Sequence, residues 1–208
     1  MKKVIYIYIL DTMADWEIGY ILQAIGMEKI LNKGTTKFYI KTVGVNKNSV
    51  KTLGGLTIIP DCSLDEINED EMVAILLPGA DRWIADDQKL IVGKLTSYID
   101  KGILVAAICG ATIALSDLGI LNNYLHTSNS LEYLCEFSGN YKGQDFYKNE
   151  LSVTDKNIIT ASSAGGLLWA KQILEYLNVY SNTTIEAWYK YYLTGNSKYY
   201  LELLSSIE

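Results

Sequence analysis

Three cysteines stand at positions 62, 109 and 135, and Cys109 has the neighbours that a nucleophile needs. It follows six consecutive apolar residues, 103–108 (ILVAAI), and precedes Gly110 and a run in which Ala111, Ile113, Ala114 and Leu118 recur at helical spacing. The apolar run has the length and the partly β-branched makeup of a strand buried on both faces. A strand that becomes a helix so abruptly must turn sharply, and Gly110 has no Cβ to obstruct the turn. The side chain at the turn is pushed out above the sheet edge, facing the free N–H groups and positive end of the new helix. That field is expected to lower the thiol pKa and favour thiolate, as in a nucleophile elbow with sulfur in place of oxygen. Free cysteine is also among the most buried residue types, so a small core residue is the competing reading. The place of Cys109 at the end of an all-apolar strand favours the nucleophile.

The elements that must position this thiol can be read in chain order. Residues 4–10, alternating among Val, Ile and Tyr, form a first buried strand that meets Asp11. A helix is predicted over 14–31, with Ile18, Ile21, Leu22, Ile25 and Ile30 inward and Asn32, Lys33 and Gly34 stopping it. A strand over 37–45 follows, then a small hairpin over 49–60 turning at Gly54 and Gly55. Residues 72–77 make a third buried strand that ends in Pro78-Gly79-Ala80-Asp81, and 86–100 a helix. Strand and helix alternating at this spacing predict a mainly parallel sheet with helices on both faces. Sites in such sheets lie beyond the carboxyl ends of the strands. Three stretches converge there: 11–17, 78–83 and Cys109-Gly110.

Downstream, 126–129 reads as a short strand, followed by a helix to Phe137 and another strand over 141–147. Residues 151–154 and 157–161 form a hairpin about Asp155-Lys156, and 165–177 a helix. Thr183-x-x-Glu186 has the form of a capping box, and the segment from Ser197 is a helix rich in Leu and Tyr. Trp16 and Trp83 flank the expected site, as its walls or as ordinary core. Cys62 and Cys135 read as structural.

Composition narrows the partners. The 208 residues are 49% apolar and 20% charged, which fits one sizeable globular domain. A net charge of −6 without any Lys/Arg cluster argues against nucleic acid. No apolar run approaches the ~20 residues of a membrane span, and the N-terminal run lacks a small-residue cleavage site. The cysteines, odd in number and widely spaced, form neither a disulfide framework nor a zinc site and fit a reducing cytoplasm.

Four motifs, in order, resemble the PfpI family of the class I glutamine amidotransferase-like superfamily: MADWE, LLPGADRW, AAICGATIALSDLGIL, and TAS at 160–162. The resemblance covers residues 1–178, with 179–208 as a helical extension of the same domain, and it implies a flavodoxin-like three-layer α/β sandwich. It makes Cys109 the nucleophile and Glu17 the carboxyl hydrogen-bonded to the sulfur. Taken alone, Glu17 reads rather as a first-turn glutamate complementing the helix dipole, and its place beside Cys109 reverses that. A carboxyl beside a thiolate should have a raised pKa, which suits it to hold a proton. The implied oxyanion hole is formed by the backbone N–H groups of Gly110 and Ala80, the latter where relatives carry a second glycine. Many relatives place a histidine twenty residues after the cysteine, and that position is Asn129. The single histidine, His126, lies three residues earlier, which on a strand faces the opposite way. Both are accessory candidates, with Asn129 favoured.

The expectation is therefore a PfpI-like cysteine hydrolase or amidase attacking a small carbonyl, amide or peptide substrate, without cofactor or metal. It is expected in the cytoplasm, as a homo-oligomer and most simply a dimer. The alternative is a non-catalytic redox sensor or stress-related chaperone using the same cysteine. A glutaminase-type subunit is weaker, because Ser128 stands where a His-x-Glu pair would place its glutamate.

Overall fold

The computed structural model describes residues 2–27 and 36–206. Its strands are β1 (Lys3–Tyr8), β2 (Phe38–Gly44), β3 (Val50–Lys51), β4 (Thr57–Ile58), β5 (Cys62–Ser63), β6 (Met72–Leu77), β7 (Leu104–Ile108), β8 (Ser152–Asp155) and β9 (Ile158–Ala161). Its α-helices are α1 (Gly19–Gly26), α2 (Lys89–Asp100), α3 (Thr112–Asp117), α4 (Leu131–Phe137), α5 (Gly166–Leu177), α6 (Asn182–Thr194) and α7 (Ser197–Ser205). Seven strands form one sheet in the order β5-β2-β1-β6-β7-β9-β8, parallel except where β8 pairs antiparallel with β9. The remaining two, β3 and β4, make a separate antiparallel hairpin. This is the mainly parallel sheet expected from the alternation of elements, in the flavodoxin-like α/β sandwich that the resemblance implied.

The path of the chain explains the layers. From β1 it moves outward to β2 and β5, then returns to β6 on the other side and continues to β7 and β9. Right-handed crossovers leaving β1 in opposite directions must put their helices on opposite faces. Accordingly α1 packs with α5, and α2 packs with α3. With both faces covered, β7 is buried at every residue, and β1 and β6 nearly so. The reversal of strand order falls between β1 and β6, so a crevice opens beyond their carboxyl ends. The loops that start at residues 9, 78 and 109 all enter it.

Four local expectations need correction or qualification. The helix expected from residue 14 begins as a 3-10 turn (Asp15–Ile18) before α1, and its expected continuation through Ile30 to Asn32, Lys33 and Gly34 lies outside the described residues. The strand expected at 126–129 is a single bridge between His126 and Tyr147. That expected at 141–147 is a loop with one 3-10 turn (Gln144–Phe146). There, Asn122 Oδ1 takes the N–H of Lys142 at 2.6 Å, so a side chain replaces a strand partner. The cap of helix α6 lies two residues before the expected one: Ser181 accepts from the N–H of Thr184, and Glu186 instead pairs with Lys171 at 2.6 Å.

The C-terminal helices are joined to the body. Ile185, Ala187, Trp188 and Leu203 belong to the same buried cluster as the sheet. The Trp188 indole N–H donates to Gln23 Oε1 at 2.8 Å, and the Tyr180 hydroxyl to the carbonyl of Ala24 at 2.6 Å. No helix among the described residues is long and apolar enough to cross a membrane.

Candidate active site

Strand β7 ends at Ile108, and Cys109 turns with φ +57°, in the left-handed region. For a residue with a Cβ this costs on the order of 1–2 kcal/mol, a strain that the surroundings must hold in place. A 3-10 turn (Cys109–Ala111) and α3 follow, and the Thr112 hydroxyl donates to the Cys109 carbonyl at 2.7 Å. Gly110 lies against the backbone of Ala80: a Cβ there would come 2.8 Å from the Ala80 carbonyl oxygen. The sharp turn expected from the strand–Cys–Gly–helix order is thus present, and glycine is needed because another loop crosses it.

That loop is built to hold Glu17. Its side chain is buried, and Oε2 accepts the N–H of Gly79 at 2.6 Å. The Gly79 carbonyl in turn accepts from Ala14 at 2.8 Å, and the Trp83 indole N–H donates to the Pro78 carbonyl at 2.8 Å. A Cβ added to Gly79 would lie 2.7 Å from Cys109 Cβ, 2.9 Å from its Sγ and 3.0 Å from Glu17 Oε2. Only a glycine lets the carboxyl and the thiol approach across this loop.

The electrostatics of the pair follow from its burial. Burial pushes the Glu17 carboxyl above the usual carboxylate range, against the opposing pull of the Gly79 N–H and the Cys109 thiol. Its second oxygen, Oε1, is buried without a hydrogen-bond partner among the described residues, which leaves it free to accept a proton. Burial also pushes the Cys109 thiol up, reinforced by the Glu17 charge and opposed by the Asn129 amide and the Gly110 N–H. The expected lowering by the helix end is therefore overturned. Helix α3 has six residues behind a 3-10 turn, and its end field is outweighed by burial and an adjacent carboxylate. Two groups that both resist ionisation retain a proton between them near neutral pH.

Asn129 faces the sulfur, and His126 does not. The Asn129 amide donates from Nδ2 to Cys109 Sγ at 3.3 Å, while its Oδ1 accepts the N–H of Ser163 at 2.9 Å. The Ser163 N–H thereby fixes which end of the amide points at sulfur. His126 is fully buried, with Nδ1 2.7 Å from the Tyr124 carbonyl and Nε2 2.8 Å from the Tyr141 hydroxyl. A carbonyl only accepts, so Nδ1 carries the proton and Nε2 accepts from Tyr141. Burial lowers its pKa, leaving a neutral core imidazole edge-on to the rings of Tyr141 and Tyr147. The two side chains diverge as expected from the odd offset, though the segment is not a regular strand. It is pinned from outside itself: Thr127 N–H donates to Thr160 Oγ1 at 2.9 Å, and the Ser128 and Thr112 hydroxyls are 2.7 Å apart.

Around the sulfur lies a small pocket of about 100 Å³ to which Trp16, Glu17, Ala80, Cys109, Gly110 and Tyr133 contribute. Trp16 is exposed at its rim, whereas Trp83 is core, packed on the Tyr8 ring. Asp15 takes no part in the pocket and instead accepts the Thr52 hydroxyl at 2.5 Å, holding the β3–β4 hairpin so that Leu53 reaches the pocket wall. Cys62 is buried on β5, and Cys135 is exposed on α4. Sequence reasoning missed the Gly79 N–H that orients Glu17, the Ser163 N–H that orients Asn129, and Leu53 and Tyr133 in the wall. The TAS motif carried a signal for part of this, since Thr160 holds the Asn129 segment. Among the described residues, no three His, Cys, Asp or Glu side chains converge to hold a metal ion.

A model of the DJ-1/PfpI family matches residues 2–176. A Bacillus subtilis protein named uncharacterized protease YoaZ is 39% identical over 203 residues, covering 98% of this chain and 97% of its own. A second from that organism, uncharacterized protease YdeA, is 32% identical over 188 residues, covering 89% and 88%. Among solved structures, a thiJ/pfpI family protein from Bacillus anthracis superposes with a TM-score of 0.95 at 36% identity, over 100% of this chain and 98% of that one. A DJ-1 superfamily protein from Agrobacterium tumefaciens, Atu0886, gives 0.79 at 26% identity, over 93% and 100%.

Proposed function

The chain belongs to the DJ-1/PfpI family, and from that premise we propose that it is a cysteine-dependent enzyme attacking a small carbonyl or amide substrate. The observation that carries this reading is the Cys109 thiol beside Glu17 in one pocket fed by three loops of the sheet's carboxyl edge, with the Asn129 amide donating to its sulfur. Cys109 sulfur forms a bond to the carbonyl carbon as its proton passes to Glu17, and the C=O π electrons move to oxygen. Gly110 and Ala80 line the pocket, and their N–H groups are the donors for that oxyanion. With an aldehyde or ketone, Glu17 returns the proton to the oxygen and the adduct is a hemithioacetal or its ketone counterpart. With an amide, Glu17 protonates the departing amine, leaving a thioester that water opens. Asn129 positions sulfur but moves no proton, so Glu17 alone does the proton work.

The redox-sensor alternative has less support, because it gives the Gly110 and Ala80 donors no role. A turnover screen of amides, peptides, glyoxals and isonitriles decides between the two readings, run beside a Cys109→Ala control. Turnover lost in the control supports the enzyme. No turnover by the wild type, or turnover that survives in the control, overturns it.

A further inference from the structure

Beside the thiol pocket lies a larger cavity, of about 360 Å³, walled by residues that include Trp16, Tyr20, Leu151, Leu167, Tyr192 and Leu193. Two connections tie it to Cys109. Trp16 and Glu17 line both spaces. Ser163, in its wall, donates its N–H to Asn129, whose other amide atom is 3.3 Å from the sulfur. The cavity presents no lysine or arginine, and Glu17 is its one acidic residue. Glu17 turns its carboxyl away to Gly79 and its backbone carbonyl toward Gly166, where an added Cβ would lie 3.6 Å from that oxygen. The lining is thus apolar and aromatic, with phenol and serine hydroxyls for polar contacts. Such a lining, at this volume, is characteristic of a small-molecule site.

The wall is also preformed. The Tyr192 ring packs against Tyr20 at 5.5 Å and Trp188 at 5.4 Å, and Trp188 is anchored on Gln23. Rings already held by neighbours lose little freedom when a ligand arrives. Tyr192 and Leu193 come from α6, so the C-terminal extension reaches the edge of the chemistry.

We propose that this cavity is the subsite for an aromatic or bulky apolar group on the molecule attacked by Cys109, which makes α6 a specificity element. This rests on the reading of Cys109 as the nucleophile. It predicts that electrophiles bearing a phenyl group on a linker of suitable length reach Cys109 faster than the bare electrophile does.

The test uses iodoacetamide and its N-benzyl, N-phenethyl and N-(4-phenylbutyl) derivatives on the full chain. Labelling at Cys109 is read by peptide mass mapping and divided by labelling at the exposed Cys135, which corrects for each reagent's own reactivity. The expected result is a ratio raised about tenfold or more over iodoacetamide for at least one linker, with a rate that saturates in reagent. Leu151→Asp and Leu193→Asp alter exposed side chains, so the fold is retained. Each should abolish the gain while leaving labelling by iodoacetamide unchanged. Equal ratios across the series, or a gain that survives both variants, overturns the subsite. If Leu193→Asp shifts the sedimentation coefficient and leaves the ratios alone, the cavity is a face between copies and the subsite also falls. Selectivity is read on the thiol itself, so failure of the turnover screen leaves this outcome distinguishable.

Discussion

The Glu17 charge adds to the resistance of Cys109 to ionisation, and removing the carboxylate should show it. In Glu17→Gln the like charge beside sulfur is gone, so the inflection in Cys109 alkylation should move to lower pH by about one unit or more. Iodoacetamide labelling across pH 6 to 10 measures this; an inflection that stays put or moves upward contradicts the coupling. His126 belongs to the residue scale for a different reason, because its partners make it structural. Its pKa is lowered from 6.5 by burial, so below that pH the unfolded chain binds a proton that the native state refuses. The contribution is fully present above about pH 6.5 and is lost as pH falls toward the depressed native value. Urea midpoints should therefore fall more between pH 7 and pH 5 for wild type than for His126→Gln. The same variant should leave Cys109 alkylation within a few-fold of wild type, whereas loss of a general base costs ~10²–10⁴.

At the scale of the element, the elbow stores strain at one residue. Cys109 holds φ +57° between a buried strand and a 3-10 turn, a conformation that glycine adopts without penalty. Cys109→Gly and Cys109→Ala both delete the thiol and differ in whether the Cβ remains. Glycine should be the more stable of the two by about 1 kcal/mol, read from chemical denaturation midpoints. Equal midpoints would mean that the turn relaxes and stores nothing. The adjoining loop shows the same logic from the other side: Gly79 is where two side chains meet across a backbone, and its N–H is the group that orients Glu17.

For the whole molecule, the question is what the C-terminal helices contribute. Ile185, Trp188 and Leu203 are buried with the main core, and each such side chain stabilises by about 1.5–3 kcal/mol. Their sum is comparable to the ~5–15 kcal/mol that holds a typical domain folded. A chain ending at Asn178 should therefore lose cooperative unfolding, as followed by near-UV circular dichroism during heating; a sharp transition near that of the full chain would contradict this. The β3–β4 hairpin, by contrast, leaves Leu53, Leu56 and Ile59 exposed beside the site. We propose a second copy as their cover: sedimentation velocity should then show a dimer that Leu56→Asp weakens, and a monomer would contradict this.

Sequence by itself determined the mainly parallel sheet, its central strands and the place of the thiol, because these rest on local signals. An all-apolar run of strand length, helical spacing after it and a glycine at the turn are legible within about twenty residues of chain. The count from Cys109 to Asn129 also survived, since it depends on spacing alone. Tertiary structure decided what depends on groups far apart in the chain. The 126–129 segment was expected as a strand, but Thr160 and Thr112 hold it in place of a ladder. The thiol was expected to be acidified by its helix, and the opposite holds because burial and Glu17, ninety-two positions away, outweigh a short helix end. The apolar cavity was not legible at all. Trp16 and Leu193 meet in its wall only after the sheet has formed and α6 has packed back upon α5, and no local pattern encodes a distance of that kind.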